Sequence, residues 1–423
     1  MREVRIVPTP LKGVIDIPAS KSLCHRAIIA AAMAKGTSII NNIVLSEDIL
    51  ATINAVQILG AKVTLYPDKA IVTGTSFQGI HNNTIDCKES GSTLRFIIPL
   101  GLLTGSEISY IGSGNLYNRP LDPYIEIFKE QGIKFSAQKL PMNIKGELRY
   151  GDFMLKGNIS SQFITGLMFV LPTLHGDSTI YIVDALESKA YIDLTLDALQ
   201  SFGIHIENNN YKSFFIKGSQ SYKAIEYTVE GDYSQAAFWV AAGLLGQQVE
   251  CNSINNDSKQ SDKAFIDIMI SCGGQIKINN GSITASKSQL NAFDADVSQY
   301  PDIAPILAVI AALSHGTSHI TGASRLRIKE CDRLMAISTE LNKLGAEVYE
   351  NEDNLVIVGK EYLKGGEVDS WGDHRIAMAL SIASLNCTNP ITIKNSTVVS
   401  KSYPGFFEDF IKLGGIINER SLG

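Results

Sequence analysis

The chain of 423 residues has little of what marks a metal site, a disulfide framework or a membrane anchor. Its six cysteines are scattered, and none forms a Cys-x-x-Cys pair or stands beside a histidine cluster. Thiols distributed in this way are typical of a reducing compartment. The longest apolar stretches, such as residues 303–313, fall short of the roughly 18 residues that span a bilayer. The N-terminus also lacks the apolar core of a signal peptide, so we expect a soluble, cytoplasmic protein.

Further absences exclude two classes of binding protein. No GxxxxGK[ST] loop is present, and no GxGxxG opens a helix after a strand, so nucleotide-binding motifs are missing. The formal net charge of −6 argues against a broad basic surface for nucleic acid, although it is compatible with a local basic pocket.

Six glycines recur at nearly constant intervals and divide the chain into repeated units. They lie 69–72 residues apart, at Gly60, Gly132, Gly203, Gly273, Gly345 and Gly414. An apolar residue stands four positions before each glycine and seven positions before five of them, which is the stripe of an amphipathic helix closed by a glycine. Segments rich in Ala, Ile and Leu predict a second, buried helix in each unit, at residues 21–34, 92–103, 161–174, 233–245, 302–313 and 373–385. The sequence thus predicts six mixed α/β units of roughly 70 residues.

The six units can be arranged in two ways. They could form one closed ring or two groups of three, and the length of the chain favours two groups. The break then lies between the third and fourth units, near residues 227–232. The first fifteen or so residues add a strand before the first buried helix, and periodicity alone leaves open which group this strand joins.

Polar clusters open the predicted buried helices, at residues 20–22, 89–93, 160–162, 231–235, 300–302 and 372–375. One interpretation is helix capping, because Ser and Asp side chains accept hydrogen bonds from unpaired amides. Capping does not account for cations, which are unfavourable at the positive end of a helix dipole. Eight cations accompany the helix starts: Lys21, Arg26, Arg95, Arg119, Lys329, Arg333, Arg375 and Lys401. If these converge, they form a site for strongly anionic small molecules; the alternative is eight solvated surface charges.

Ten motifs follow one another along the chain: SKSLCHR (20–26), ESGSTLR (89–95), NRPL (118–121), SSQF (160–163), ESKAYIDLTL (187–196), EGDYSQAAF (230–238), YPDIA (300–304), RIKECDRL (327–334), GDHRIAMA (372–379) and VSKSYPGFFE (399–408). In these motifs the chain resembles the 5-enolpyruvylshikimate-3-phosphate synthase family over essentially its whole length. The resemblance implies an α/β enolpyruvyl transferase fold of six repeats, an inverse α/β barrel with three βαβαββ repeats in each of two lobes. It assigns residues 1–15 plus 230–423 to lobe I and residues 16–229 to lobe II, with helix N-termini facing a cleft.

The resemblance also implies a reaction. The enolpyruvyl group of phosphoenolpyruvate passes to the 5-hydroxyl of shikimate-3-phosphate and phosphate is released, a step of aromatic amino acid biosynthesis in the shikimate pathway. No cofactor and no metal are expected, because the cations supply the positive charge that magnesium would bring. The expected partners are the two small-molecule substrates, with no nucleic acid and no membrane, and the chain is expected to be a monomer.

Site residues carry over motif by motif. Those expected to bind shikimate-3-phosphate are Lys21, Ser22, Arg26, Ser160, Ser161, Gln162, Ser188, Tyr191, Asp302 and Lys329. Those expected to surround phosphoenolpyruvate are Lys21, Gly91, Arg119, Gln162, Arg333, Arg375 and Lys401. Glu330 is the candidate for protonating the methylene carbon, and Lys21 is a competing candidate. Asp302 is expected to accept the hydroxyl proton with Lys329 orienting it, and Lys401, His374 and Arg375 to stabilise or protonate the departing phosphate.

Three residues depart from the pattern that the family usually shows. Glu89 stands where Asn is frequent, Phe96 where Pro often follows the loop arginine, and Arg325 where Asn is common. None of these changes removes a charge that the chemistry needs. Because Gly91 is retained, inhibition by glyphosate, which resembles phosphoenolpyruvate, is expected.

Three alternatives predict different properties. A UDP-N-acetylglucosamine enolpyruvyl transferase shares the fold and chemistry, but its usual loop cysteine is missing before Arg119-Pro120. A non-catalytic anion-binding protein of the same fold would bind ligand without turnover, and retention of Asp302 and Glu330 argues against it. An RNA-end-processing relative would need a nucleotide-reactive histidine and a basic groove, and neither is evident in the sequence.

Overall fold

The computed structural model describes residues 2–75, 77 and 82–421. Its α-helices are α1 Lys21–Met33, α2 Glu47–Ile58, α3 Gly91–Gly101, α4 Asp122–Glu130, α5 Ser161–Val170, α6 Lys189–Ser201, α7 Tyr233–Leu245, α8 Ala264–Ser271, α9 Ala304–Ala312, α10 Arg333–Lys343, α11 His374–Ala383 and α12 Phe406–Lys412. Its strands are β1 Arg2–Val7, β2 Lys12–Asp16, β3 Gly36–Asn41, β4 Lys62–Leu65, β5 Lys69–Gly74, β6 Thr84–Asp86, β7 Ile108–Ile111, β8 Lys134–Phe135, β9 Met142–Lys145, β10 Asp152–Lys156, β11 Ser178–Val183, β12 Ile206–Asn209, β13 Ser213–Ile216, β14 Glu226–Thr228, β15 Gln248–Asn252, β16 Gln275–Asn279, β17 Ser282–Ser286, β18 Asp294–Asp296, β19 Thr317–Thr321, β20 Glu347–Glu350, β21 Leu355–Val358, β22 Gly366–Asp369, β23 Ile391–Lys394 and β24 Ile416–Ser421.

The chain divides into two compact units. Unit I comprises the described residues up to Pro18 together with those from Glu230 onward, and unit II runs from Ala19 to Val229. Each has its own hydrophobic core, in which buried helices pack against sheets. The division falls near the break that the glycine spacing indicates between the third and fourth repeats.

Every described sheet has four strands and the same internal order. An edge strand pairs in parallel with its neighbour, and two further strands continue antiparallel. In unit II the orders are β14-β3-β5-β4, β6-β7-β9-β8 and β10-β11-β13-β12; in unit I they are β2-β15-β17-β16, β18-β19-β21-β20 and β22-β23-β1-β24. Parallel neighbours require a crossover connection, and a helix supplies it within the repeats.

Strands near the ends of the chain, and near the end of unit II, complete sheets whose other strands are distant in the sequence. Strand β2 pairs in parallel with β15, so the first residues supply the edge strand of the fourth repeat. Strand β1 lies between β23 and β24 in the last sheet. In unit II, strand β14 returns to pair with β3. The N-terminal strands therefore belong to the unit that contains the second half of the chain.

The helices are of two kinds, and the sequence pattern separates them. In α1, α3, α5, α7, α9 and α11 nearly every residue is buried, which explains their apolar composition on all sides. Each of the other helices ends just before one of the six recurring glycines, which have φ between 75° and 110°. This left-handed conformation costs glycine little and other residues more, so the glycine closes the helix.

Prolines account for helix ends that the apolar pattern does not locate. Helix α5 ends at Val170, because Pro172 lies in the 3₁₀ turn that follows and has no amide hydrogen for the α-helical bond. The predicted start at residue 302 also belongs to a 3₁₀ turn, Pro301–Ile303, and α9 begins at Ala304. Among the described residues, no helix combines the length and the apolar character that crossing a bilayer requires.

Candidate active site

The first two turns of α1 carry a lysine and an arginine that are both largely buried in unit II. Lys21 Nζ lies 2.7 Å from Asp48 Oδ2 on α2, and both side chains are mostly buried. Arg26 is buried and donates from Nη1 to the Ser22 carbonyl and from Nη2 to the Tyr191 carbonyl, at 2.7 and 2.9 Å. Burial lowers the pKa of Arg26 to about 10, which leaves it charged at neutral pH.

A third cation, Arg119, lies against the start of α3. The Ser90 side chain accepts a hydrogen bond from the Thr93 amide and caps the helix. At Gly91, a Cβ atom would lie 2.4 Å from Nη1 of Arg119. The absence of a side chain at Gly91 therefore lets the Arg119 guanidinium pack onto the backbone at the helix N-terminus.

Helix α5 contributes an amide side chain fixed from both sides. Gln162 Oε1 accepts from Arg95 Nη1 at 2.7 Å, and its Nε2 donates to Ser92 Oγ at 2.8 Å. Arg95 also lies over the Phe163 ring, 4.8 Å from its centroid. These contacts join the N-terminal turns of α3 and α5.

The start of α6 has a strained residue. Ser188 precedes the helix with φ 55° and ψ 45°, a left-handed conformation that is uncommon for a residue with a side chain. Its carbonyl accepts from the Tyr191 amide at 3.1 Å. Ser160 caps α5 by accepting from the Gln162 amide, and the neighbouring Ser161 is buried. The residues predicted for unit II therefore collect at the starts of α1, α3, α5 and α6.

In unit I, an aspartate between two arginines forms the centre of the charged group. Asp302 Oδ1 lies 2.9 Å from Arg333 Nη1, and Oδ2 lies 2.9 Å from Arg375 Nη2. Arg333 is almost fully buried and also binds Asp373 and Glu330, each at 2.7 Å. Burial opposes its charge, but Asp373, Glu330 and Asp302 outweigh that effect and raise the pKa of Arg333 well above its usual value.

Lys329 lies at the edge of this group, with its Nζ 3.7 Å from Asp302 Oδ1. Burial lowers the pKa of Lys329 to about 8. Asp302 opposes the decrease, whereas the nearby cations Arg325 and Arg333 add to it. This amine therefore changes charge closer to neutral pH than an exposed lysine does.

Two further predicted residues lie next to Asp373, which caps α11 by accepting from the Arg375 amide. His374 is buried, with Nδ1 3.9 Å from Asp373 Oδ1. Lys401 ends a 3₁₀ turn and donates from Nζ to the Gly372 carbonyl at 2.7 Å. The eight cations thus form two groups of four, one in each unit, and they are not scattered over the surface.

Capping, the simpler interpretation of the polar clusters, is correct for part of them. Side chains of Ser90, Ser160, Asp232 and Asp373 accept from amides in the first turns of α3, α5, α7 and α11. Asp332 caps α10 and pairs with Arg327 at 2.8 Å.

Comparisons with known proteins agree with one another. The family described as EPSP synthase (3-phosphoshikimate 1-carboxyvinyltransferase) matches residues 7–410. Curated proteins named 3-phosphoshikimate 1-carboxyvinyltransferase are 51% identical in Clostridium novyi, over all of both chains, and 52% identical in Clostridium perfringens strain 13, over 99% of this chain and all of that one. The chain belongs to the EPSP synthase family.

Solved structures support the fold of this EPSP synthase family member. An EPSP synthase structure from Acinetobacter baumannii has a TM-score of 0.82 at 23% identity and covers all of both chains. A second structure from that organism has a TM-score of 0.79. The predicted α/β fold and the predicted family are therefore confirmed, and the chain is a transferase.

The three departures from the family pattern have identifiable surroundings. Phe96 is buried with its ring centroid 5.5 Å from the Arg26 guanidinium carbon, so it supports a predicted binding residue. A Cβ atom at Gly114 would lie 2.4 Å from the carboxyl carbon of Glu89, which places that carboxylate against the following loop. Arg325 acts on Lys329 through its charge.

Two carboxylates near the predicted residues were missed by sequence reasoning. Asp48 pairs with Lys21, and it stands in the first turn of α2, in a helix treated only as an amphipathic repeat element. Asp262 is buried, and burial followed by the charge of Asp302 raises its pKa to about 7, while Arg375 opposes the increase. An acidic residue at or just before the start of a repeat helix was the available signal in both cases.

Proposed function

We propose that the chain transfers the enolpyruvyl group of phosphoenolpyruvate to the 5-hydroxyl of shikimate-3-phosphate and releases phosphate. The observation that carries this proposal is that each unit has a group of four cations. The group in unit I also contains the candidates for proton transfer, Asp302, Glu330 and Lys329. Two phosphates and two carboxylates need such clusters of charge-assisted donors. The reaction also needs groups that move protons, and cations alone do not supply them.

In unit II, the proposed role is recognition of shikimate-3-phosphate. Lys21, Ser22 and Arg26 bind its anionic end, and Ser160, Ser161, Gln162, Ser188 and Tyr191 hold its phosphate and ring. Helix N-termini favour anions, and α1, α5 and α6 each begin at these residues. Arg119, packed on Gly91, binds phosphoenolpyruvate together with Lys21 and Gln162.

In unit I, the proposed role is proton transfer and binding of phosphoenolpyruvate. Asp302 accepts the proton of the attacking hydroxyl while Lys329 orients that hydroxyl. Glu330 protonates the methylene carbon, with Lys21 as the competing acid. Arg333, Arg375 and Lys401 bind the phosphoenolpyruvate anion, and His374 joins Lys401 in stabilising the departing phosphate.

An assay of phosphate release with both substrates tests the proposed function. We expect turnover with shikimate-3-phosphate and none with UDP-N-acetylglucosamine as acceptor. Equilibrium binding of shikimate-3-phosphate without phosphate release would instead support a non-catalytic anion-binding protein. The proposal includes a cytoplasmic, monomeric enzyme, in keeping with six cysteines that all lie in the described residues, are buried and form no disulfide.

Gly91→Ala should weaken binding of phosphoenolpyruvate through Arg119. The added Cβ would lie 2.4 Å from the Arg119 guanidinium, so that flexible group must move away from the helix start. We expect the Michaelis constant for phosphoenolpyruvate to rise about tenfold with kcat nearly unchanged, as loss of one charge-assisted contact predicts. Glyphosate, which resembles this substrate, should inhibit the wild type and inhibit the variant less. A Michaelis constant equal to that of wild type would contradict the proposed place of Arg119.

The pH dependence of kcat/KM should reveal the loss of the proton from Lys329. This parameter reflects the free enzyme, in which burial lowers the pKa of Lys329 to about 8. Because the protonated amine binds and orients anionic substrate, kcat/KM should fall as pH rises through about 8. The guanidinium of Lys329→Arg does not lose its proton in this range, so the variant should lack this alkaline decrease. An identical alkaline limb in both proteins would assign the decrease to another group.

A further inference from the structure

We propose that the hydroxyl groups of Thr52, Tyr124 and Thr195 form a buried positioning ring that fixes the inner helices of unit II. The three residues belong to α2, α4 and α6, and each side chain is fully buried. Each stands eight positions before the glycine that closes its helix. They therefore occupy one structurally equivalent position in three successive repeats.

The Thr52 hydroxyl connects α1 to α3. Its Oγ1 lies 2.7 Å from His25 Nδ1 and 2.7 Å from Thr93 Oγ1. The Thr93 hydroxyl in turn donates to Ser90 Oγ, the cap of α3, at 2.7 Å. Burial, with help from the charges of Lys21 and Arg26, lowers the pKa of His25 well below its usual value, so a neutral imidazole takes part.

The Tyr124 hydroxyl connects α3 to α5. It lies 2.7 Å from the Arg95 carbonyl and 3.0 Å from the Phe163 carbonyl. Space for it exists because α5 has a glycine at this point: a Cβ atom at Gly166 would lie 2.1 Å from the hydroxyl oxygen. The tyrosine and the glycine together allow the two helices to share one hydroxyl.

The Thr195 hydroxyl connects α5 back to α1. Its Oγ1 accepts from Arg26 Nε at 2.9 Å and lies 2.9 Å from Thr165 Oγ1 on α5. It also lies 2.8 Å from the Tyr191 carbonyl, which itself accepts from Arg26. With this third link, each inner helix of unit II is joined to both of the others.

The fold by itself does not require hydroxyls at this position. The equivalent residues of unit I, again eight positions before the closing glycines, are Phe265, Ile337 and Phe406. All three are buried in an apolar core. Since the same architecture is built with apolar side chains in unit I, we infer that the hydroxyls of unit II serve the residues that they contact.

Those contacts lead directly to proposed binding residues. Thr195 orients Arg26 and the Tyr191 backbone, and Tyr124 fixes the helix turns that hold Arg95 and Gln162. The inference rests on the proposed assignment of Arg26, Tyr191 and Gln162 to shikimate-3-phosphate. Turnover by the wild type tests the proposed reaction, and this test is independent of the ring.

Thr195→Val keeps the shape of the side chain and removes the hydroxyl, leaving the buried Arg26 Nε without its acceptor. We expect the Michaelis constant for shikimate-3-phosphate to rise about tenfold while that for phosphoenolpyruvate stays within about twofold, because the loss falls on Arg26 and Tyr191. Thr195→Ser restores the hydroxyl and should restore the Michaelis constant. Equal changes for both substrates, or no rescue by serine, would overturn the positioning role.

Tyr124→Phe provides the second test, and Tyr222→Phe is its matched control. The Tyr222 hydroxyl is also buried and donates to a backbone carbonyl, that of Phe169 on α5, at 2.7 Å, but Phe169 lies far along α5 from Gln162. Both variants should melt at lower temperature. Only Tyr124→Phe should raise the Michaelis constants, by about fivefold for both substrates, since Gln162 is proposed to contact both. If the two variants have the same kinetics, Tyr124 is a structural residue and the ring does not position the site.

Discussion

Asp302→Asn should give a folded protein whose kcat is about 10³-fold below that of the wild type. The substitution keeps the shape of the side chain but removes the acceptor for the hydroxyl proton. In the structure this carboxylate lies within 2.9 Å of both Arg333 and Arg375, so it is held in one orientation by two fixed guanidinium groups. Such fixed orientation is what a general base requires.

The balance of charges distinguishes a general base at Asp302 from a counter-ion there. With Asp302 neutral, Arg333, Arg375 and Lys329 keep three positive charges against the carboxylates of Glu330 and Asp373. Phosphoenolpyruvate, an anion, should then bind at least as tightly as it does to the wild type. A fall in kcat with unchanged or tighter binding of phosphoenolpyruvate is therefore the expected combination.

The measurements are single-turnover rates, the dissociation constant for phosphoenolpyruvate and the melting temperature. Asp332→Asn is the matched control, because Asp332 caps α10 and pairs with Arg327 in the same segment without a proposed role in chemistry. Asparagine also caps helices, so this variant should change the melting temperature little and kcat by less than about fivefold. If Asp302→Asn weakens binding of phosphoenolpyruvate and slows turnover to the same degree, Asp302 is a structural counter-ion and the proposed base lies elsewhere.

Much of the fold could be predicted because its signals are local. The six closing glycines adopt positive φ, and the apolar segments form buried helices, since both features depend on residues within one helix. Where prolines end or delay a helix, as Pro172 and Pro305 do, the apolar composition continues past the helix boundary and gives no warning. Hydrophobicity indicates burial, whereas the hydrogen-bonding capacity of the backbone decides where the helix stops.

The contacts within the candidate site were less predictable because they join distant positions. Arg333 and Asp373 are forty residues apart, and the sequence gives no reason to pair them. Asp48 and Asp262 could not be related to Lys21 and Asp302 without coordinates. The motifs predicted which cations bind substrate, but the carboxylates that pair with those cations are found only when helices from different repeats are packed together.

Lys21→Met should lower kcat/KM by about 10³-fold, the second large effect that we expect. Methionine has a similar length but no charge, so the variant loses a contact proposed for both substrates and the competing acid for the methylene carbon. Asp48 would lose its partner at 2.7 Å, yet it stands in the first turn of α2, where the helix dipole favours a negative charge. We therefore expect the melting temperature to change little.

Asp48→Asn removes the other charge of the Lys21–Asp48 ion pair. It therefore distinguishes a functional lysine from a structural one. If the pair serves only to hold α1 against α2, removing either charge breaks it, and the two variants should lose the same stability and the same activity. If Lys21 binds substrate, Asp48 competes with the anions for it, so Asp48→Asn should leave the Michaelis constants unchanged or up to about threefold lower. Steady-state kinetics of both variants with each substrate varied in turn decide between these outcomes. Parallel losses in the two variants would remove Lys21 from the proposed chemistry.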